Sequence, residues 1–217
     1  MQPKKTADNA GHKAAIRIEN ERLILQAAEH VFAMQGFKGA TTGKIAEQAG
    51  MPKANVHYYF STKKILYQRV IQDICDTWLE SANLFDDLNN PKEALAAYIN
   101  AKMELSRQRP LGSRIWANEM ARGAQFTSEY IGTNVKSWLE GRTKVIQRWI
   151  DDGQIDPIDP RTLMYMIWAT TQHYADFGTQ IEILNENKPL SDAQFKAAKE
   201  MVTSIILKGV GAQGARP

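Results

Sequence analysis

The feature that most constrains this chain is a stretch of about forty residues in which a helical pattern stops and restarts in quick succession. From Asn20, apolar residues recur at spacings of three and four. Leu23, Ile24, Ala27, Ala28, Val31 and Phe32 therefore line one face of a helix. Gly36 ends it, because glycine closes helices in the left-handed conformation at little cost. Thr41 or Thr42 then supplies an N-cap hydroxyl for a short helix that turns Ile45, Ala46 and Ala49 inward and stops at Gly50. Pro52 opens a third short helix, its φ already suited to a first turn, and Ser61 caps a fourth. Two short helices joined through a glycine can cross steeply, as a helix-turn-helix requires.

The rest of the chain extends the helical pattern. Helices are expected from Pro91 to about Gln108, around Ile115–Met120, from Phe126 to Ile150, from Arg161 to about Leu184, and from a Ser191 cap to Gly209. No stretch alternates at period two with β-branched enrichment, so the fold class is all-α. No fixed-period repeat is present. Residues 1–18 are polar and read as a flexible basic arm. The single cysteine, Cys75, rules out an intrachain disulfide and fits a reducing cytoplasm. No apolar run approaches the roughly 20 residues that span a bilayer, and the N-terminus lacks the pattern of a secretory signal, so no membrane partner is expected.

The net charge of +3 hides an asymmetry. Residues 1–68 carry ten Lys or Arg against five acids, so the first third is basic and the remainder mildly acidic. A basic module of this size suits a polyanion. Within the third helix, Val56 and Phe60 sit four apart and face inward, while Lys53, Asn55, His57 and Tyr58 project outward. Lysine suits phosphate or guanine, asparagine suits adenine, and tyrosine hydroxyls contact phosphate. Lys63 opens the next helix, where the helix dipole also favours an anion. Thr42 and Lys44 start the preceding helix and are further phosphate candidates. Tyr59 is read as structural, and Arg17 as a candidate for the minor groove.

Phe32, Gly36-Phe37, Thr41-Thr42, Ile45-Ala46, Ala49-Gly50, Val56, Tyr58-Tyr59-Phe60, Lys63 and Leu66 together resemble the DNA-binding signature of the TetR family over about 45 residues. The resemblance implies a bacterial, cytoplasmic, nucleoid-associated repressor that binds double-stranded DNA. It implies a helix-turn-helix domain over residues 19–66 and a helical ligand-binding and dimerisation domain over residues 67–217. Pro52 departs from the serine that many members carry, losing a side-chain cap but keeping a helical φ.

The body is rich in large aromatics: Trp78, Phe85, Trp116, Trp138, Trp149, Trp168 and Tyr174. Trp168 and Gln172 stand four apart on one helical face. An aromatic plate beside an amide suits a flat polar heterocycle. Buried polar groups need partners, supplied by a ligand or by a helix across a dimer interface. Trp78-Leu79, Ser106-Arg107, Ser113-Arg114, Glu119-Met120, Pro157-Ile158-Asp159-Pro160 and Thr171 through Phe177 resemble a pyrimidine-utilisation subgroup of that family. The resemblance implies a uracil- or thymine-like effector. The candidate contacts are Trp168 and Gln172, then Trp78, Lys102, Trp116 and Glu119. His173 and Asp176 stay open between packing and dimer roles.

A lone recognition helix buries little surface, so a homodimer on a palindromic operator is expected, joined through helices 161–184 and 191–209. The alternative of an enzyme finds no visible nucleophile–base arrangement, metal-ligand pair, calcium loop or glycine-rich phosphate loop. No cofactor is expected.

Overall fold

Helix α1 runs from Lys5 to Gly39 and is broken at Gly36, whose φ of 66° and ψ of 173° lie outside the helical region. This computed structural model describes residues 5–81, 85 and 90–212, and over residues 5–10 it describes the backbone alone. The expected arm is therefore corrected. From Lys5 onward it is helix, while residues 1–4 lie outside the described residues. The physical reason is local. Residues 5–19 hold no proline and only one glycine, and alanines and lysines recur among them. Residues 11–19 are all exposed, so propensity and backbone bonding hold this turn of the chain, not burial.

Thr41 caps α2, Thr42–Gln48, through a bond from the Lys44 backbone N–H to its hydroxyl of 3.2 Å. Such a cap contributes about 1 kcal/mol. Gly50, at φ 65°, makes the turn into α3, Lys53–Tyr59. A side chain at that φ would be strained. Pro52 occupies the position just before α3 with φ −59° and no side-chain cap. Helix α4 runs from Lys63 to Glu80. Its cap is Thr62, whose hydroxyl accepts from the Ile65 N–H at 3.2 Å, and not Ser61 as expected. The hydroxyl three residues before the receiving N–H is Thr62's.

The chain divides into two units, with the boundary at Asp73–Ile74 inside α4. In the first, Ile24, Ala28, Ile45, Val56 and Leu66 are fully buried. Phe32 and Tyr67 meet edge-on at 4.9 Å between ring centres, and Phe37 lies 5.0 Å from the same Tyr67. The three helices α1 to α3 thus share one apolar centre that fixes how α3 is displayed.

The second unit is built around α5, Pro91–Gln108, capped by Asn90 with proline at its first position. Helix α6, Pro110–Ala121, starts before the expected Ile115 because Pro110 opens its first turn. Next come a single turn α7, Ser128–Tyr130, a five-residue π-helical turn Ile131–Val135, and α8, Lys136–Asp151. The expected continuous helix from Arg161 to Leu184 is two. Helix α9, Pro160–Asp176, leaves helical geometry at Phe177, and α10, Gly178–Leu184, resumes after it. Glycine at the restart weakens the propensity to continue. Ser191 and Gln194 form a reciprocal capping box that opens α11, Asp192–Gly209. Helices α9 and α11 pack on α5, and α6 and α8 pack on α9. Leu95, Ile99, Met103, Ile146, Met164 and Ile167 form the buried centre, with Phe85 against Tyr98 and Trp149. No described helix is long and apolar enough to cross a membrane.

Candidate nucleic-acid interface and ligand cavity

Helix α3 separates its residues by role. Val56 and the following Phe60 are buried, whereas Lys53, Asn55, His57 and Tyr58 are exposed. Tyr58 is 78% exposed, so most of its ring and its hydroxyl are available to a partner. Its ring is braced edge-on by Tyr59 at 5.2 Å. Tyr59 is itself anchored, because its hydroxyl accepts from Asn20 Nδ2 at 3.2 Å. The structural reading of Tyr59 thus has a concrete form: it fastens α3 to α1.

Two of the other candidates face each other. Thr42 Oγ1 and His57 Nε2 lie 3.3 Å apart, linking the start of α2 to α3. Lys44 Nζ donates to Gln35 Oε1 at 2.6 Å while remaining exposed. Lys63 is placed differently from the rest. Its Nζ donates to the carbonyls of Phe37 at 2.8 Å and Ala40 at 2.9 Å and lies 4.5 Å from the Phe37 ring centre. Those carbonyls flank the end of α1, where a cation is favoured. Lys63 closes the head's own frame and has one remaining proton to offer outward. Arg17 lies on the exposed helical extension, not on an irregular arm.

In the second unit, Trp78, Lys102, Trp116, Trp168 and Gln172 line one cavity of about 50 Å³, together with Cys75, Leu79, Tyr98 and Val135. Five of the six expected ligand residues therefore converge, from α4, α5, α6 and α9. Glu119 does not. It is buried but accepts the Phe126 N–H at 2.6 Å and the Thr127 hydroxyl at 3.4 Å, holding the loop after α6. His173 and Asp176 also lie outside the lining. The His173 ring stacks on Phe177 at 4.9 Å, and Asp176 accepts the Ser113 hydroxyl.

The walls of the cavity are aromatic. Trp78 and Trp116 meet edge-on at 5.7 Å. The Trp168 indole N–H donates to the Tyr98 hydroxyl at 2.7 Å. That bond removes the indole N–H as a ligand donor and leaves the Tyr98 O–H proton for another acceptor. Burial holds the Tyr98 phenol well above the usual tyrosine range, so it remains a donor. Lys102 is 3% exposed, with its Nζ 4.4 Å from the Trp78 ring centre. Burial pushes its amine down to about 7, opposed by the nearby Cys75 and Asp176. Burial pushes the Cys75 thiol up to about 12, so it lines the cavity as a neutral thiol.

Cys75 and Leu79 flank Trp78 on α4, and Tyr98 precedes Lys102 by one turn. Helical spacing from the chosen residues could have found all three. Val135 belongs to the π-helical turn, and no pattern in the chain marks it.

A helix-turn-helix head joined to a helical body with an aromatic-walled cavity defines a transcriptional regulator that couples DNA to a small molecule. Residues 24–70 match the family described as bacterial regulatory proteins, tetR family, and residues 71–213 match the YcdC-like protein C-terminal region. The chain belongs to the TetR family. It is 37% identical to the HTH-type transcriptional regulator RutR of Escherichia coli strain K12, over 88% of this chain and 90% of that protein. Among solved structures, it resembles the ketosteroid transcriptional regulator KstR2 of Mycobacterium tuberculosis, with a TM-score of 0.69 at 20% identity, covering 88% of this chain and 94% of that one. It also resembles AibR in complex with isovaleryl coenzyme A and operator DNA, with a TM-score of 0.67 at 21% identity, covering 85% and 97%.

Proposed function

We propose that this regulator is a repressor released from its operator by a pyrimidine of the uracil or thymine type. The observation that carries the reading is the convergence of Trp78, Lys102, Trp116, Trp168 and Gln172 on one cavity. Flat aromatic walls fit a planar ring. Tyr98, Lys102 and Gln172 supply donors, and Gln172 also an acceptor, which suit ring carbonyls and a ring N–H. The resemblance of the body to pyrimidine-utilisation regulators supports the same class.

On the head, Lys53, Asn55, His57 and Tyr58 read as the groove-facing set, with Thr42 and Lys44 on phosphate. Lys63 acts there chiefly by fixing the frame. The protein works as a homodimer on a palindromic site in the cytoplasm. Tyr165, Met166 and Phe177 on or beside α9, and Met201 and Ile205 on α11, are 50–60% exposed and supply the apolar face for the second copy. Ligand changes DNA affinity by its differential affinity for the two states of the dimer. Helix α4 carries Lys63 and Trp78 on one continuous element.

A thermal-shift and operator-binding screen over nucleobases and their breakdown products tests the reading. Uracil or thymine should raise the melting temperature and lower operator affinity. A screen in which only acyl-coenzyme A esters or other unrelated compounds act would overturn the effector class.

A further inference from the structure

Lys102 is unlike the other polar groups of the cavity. The residue is buried with its amine over the face of Trp78, and among the described residues it makes no hydrogen bond and no salt bridge. A buried ammonium without a paired anion is costly, and the usual remedies are a counter-ion or loss of the proton. The titratable groups facing it are few. Cys75 approaches from α4 as a neutral thiol, and Tyr98 from its own helix as a neutral phenol. Asp176 on α9 is nearby but engaged with the Ser113 hydroxyl, with His173 beyond it. Trp116 and Val135, from α6 and the π-helical turn, bring no charge.

We propose that Lys102 selects the ligand by acidity, taking a planar ring whose N–H lies between two carbonyls and holding it as the ring anion paired with the ammonium. This rests on the pyrimidine reading above and deepens it. The ring N–H bond breaks and its electron pair stays on the ring. The proton goes to the Lys102 amine when that amine is neutral, or to solvent when it is already an ammonium. The anion's charge spreads onto the two carbonyl oxygens, where the Tyr98 O–H and the Gln172 amide N–H can donate. Trp78 offers its ring face to the ammonium formed.

The proton count distinguishes this from simple donation by an ammonium to a neutral ring. Because Lys102 changes state near pH 7, binding at about pH 6 should release about one proton per bound ring, and at about pH 8 none. Donation to a neutral ring gives the opposite pattern, no exchange at the lower pH and uptake of one proton at the higher.

The test is calorimetric titration of the full chain with uracil, 5-fluorouracil and N3-methyluracil, in buffers of different ionisation enthalpy at both pH values. The more acidic fluorinated ring should bind tighter, by up to about tenfold per unit of ring acidity, and the N3-methyl ring should not bind. In Lys102→Met, uracil binding should persist weakly, with the preference for the acidic ring and the proton release both lost. Proton uptake at the higher pH with uracil, whose free ring is neutral there, or an acidity preference surviving in Lys102→Met, would overturn the proposal while leaving the pyrimidine reading intact. No binding by any of the three rings removes that reading and the proposal with it. The proton count needs only the unaltered protein, so it stands even if the variant does not fold.

Discussion

The head and the body place function at opposite depths. In the head, Lys44, Lys53, Asn55, His57 and Tyr58 are exposed, and the buried residues, such as Val56, Ile45 and Leu66, only fix how α3 is displayed. In the body the assigned residues face inward onto a cavity, and Lys102 is buried outright. The difference follows from the partners. DNA is a large polyanion that meets a surface, and most of the contact energy is charge and hydrogen bonding at that surface. A small ring must be surrounded, so its site competes directly with core packing.

The contrast is most sharply broken by a change that ruins one unit alone. Phe60→Ala removes a buried ring from the head and should cost about 3–5 kcal/mol. Operator binding should vanish, while uracil still quenches the fluorescence of the cavity tryptophans. Loss of both would mean that the two units do not fold separately.

Lys102 provides the next largest effect. Folded Lys102 loses its proton near pH 7, whereas the unfolded side chain keeps it to about 10.5. Between those values the unfolded chain holds more protons, so stability from this group rises with pH across that window and levels off above it. Lys102→Met should therefore stabilise the empty protein below pH 7, by about 1–4 kcal/mol. The gain should fade toward pH 10. Denaturant midpoints at several pH values measure it, and a gain independent of pH would contradict the buried-amine account.

Smaller effects concern the head surface. Tyr58→Ala should weaken operator binding by about 1 kcal/mol with an unchanged melting temperature. Lys63→Met should do the reverse in emphasis. It frees the carbonyls of Phe37 and Ala40 and should lower stability by about 1 kcal/mol, with a smaller effect on DNA affinity. Fluorescence anisotropy and thermal melts on the two variants separate these roles. Equal loss of affinity without loss of stability in Lys63→Met would return Lys63 to the phosphate-contacting set.

The same contrast governs what the sequence could disclose. The head is legible because its signals are local. Thr41 caps three residues from Lys44, and Gly50 turns between α2 and α3. Val56 and Phe60 share a face by spacing alone. What the pattern missed there is also local but finely balanced, such as Thr62 capping in place of Ser61 and the helix continuing back to Lys5. In the body, Trp168 and Gln172 could be paired by their spacing on one helix. Tyr98 could not be matched to Trp168, because the bond between them spans 70 positions. Glu119 shows the reverse case. The resemblance of the body placed it among the candidate ligand contacts, yet its carboxylate accepts the backbone N–H of Phe126. A residue type can be read from the chain, but which neighbour satisfies it depends on how α4, α5, α6 and α9 meet.

On this reading, a ring in the cavity controls the head's hold on DNA. The direct measurement is operator affinity by anisotropy, on a palindromic duplex selected with the full chain, with and without saturating uracil, for the unaltered protein and for Gln172→Leu. Adding uracil should lower operator affinity by about 5–150-fold, with no response in Gln172→Leu, whose affinity without ligand is unchanged. Unaltered affinity in the presence of bound uracil, or an equal response in Gln172→Leu, would contradict it.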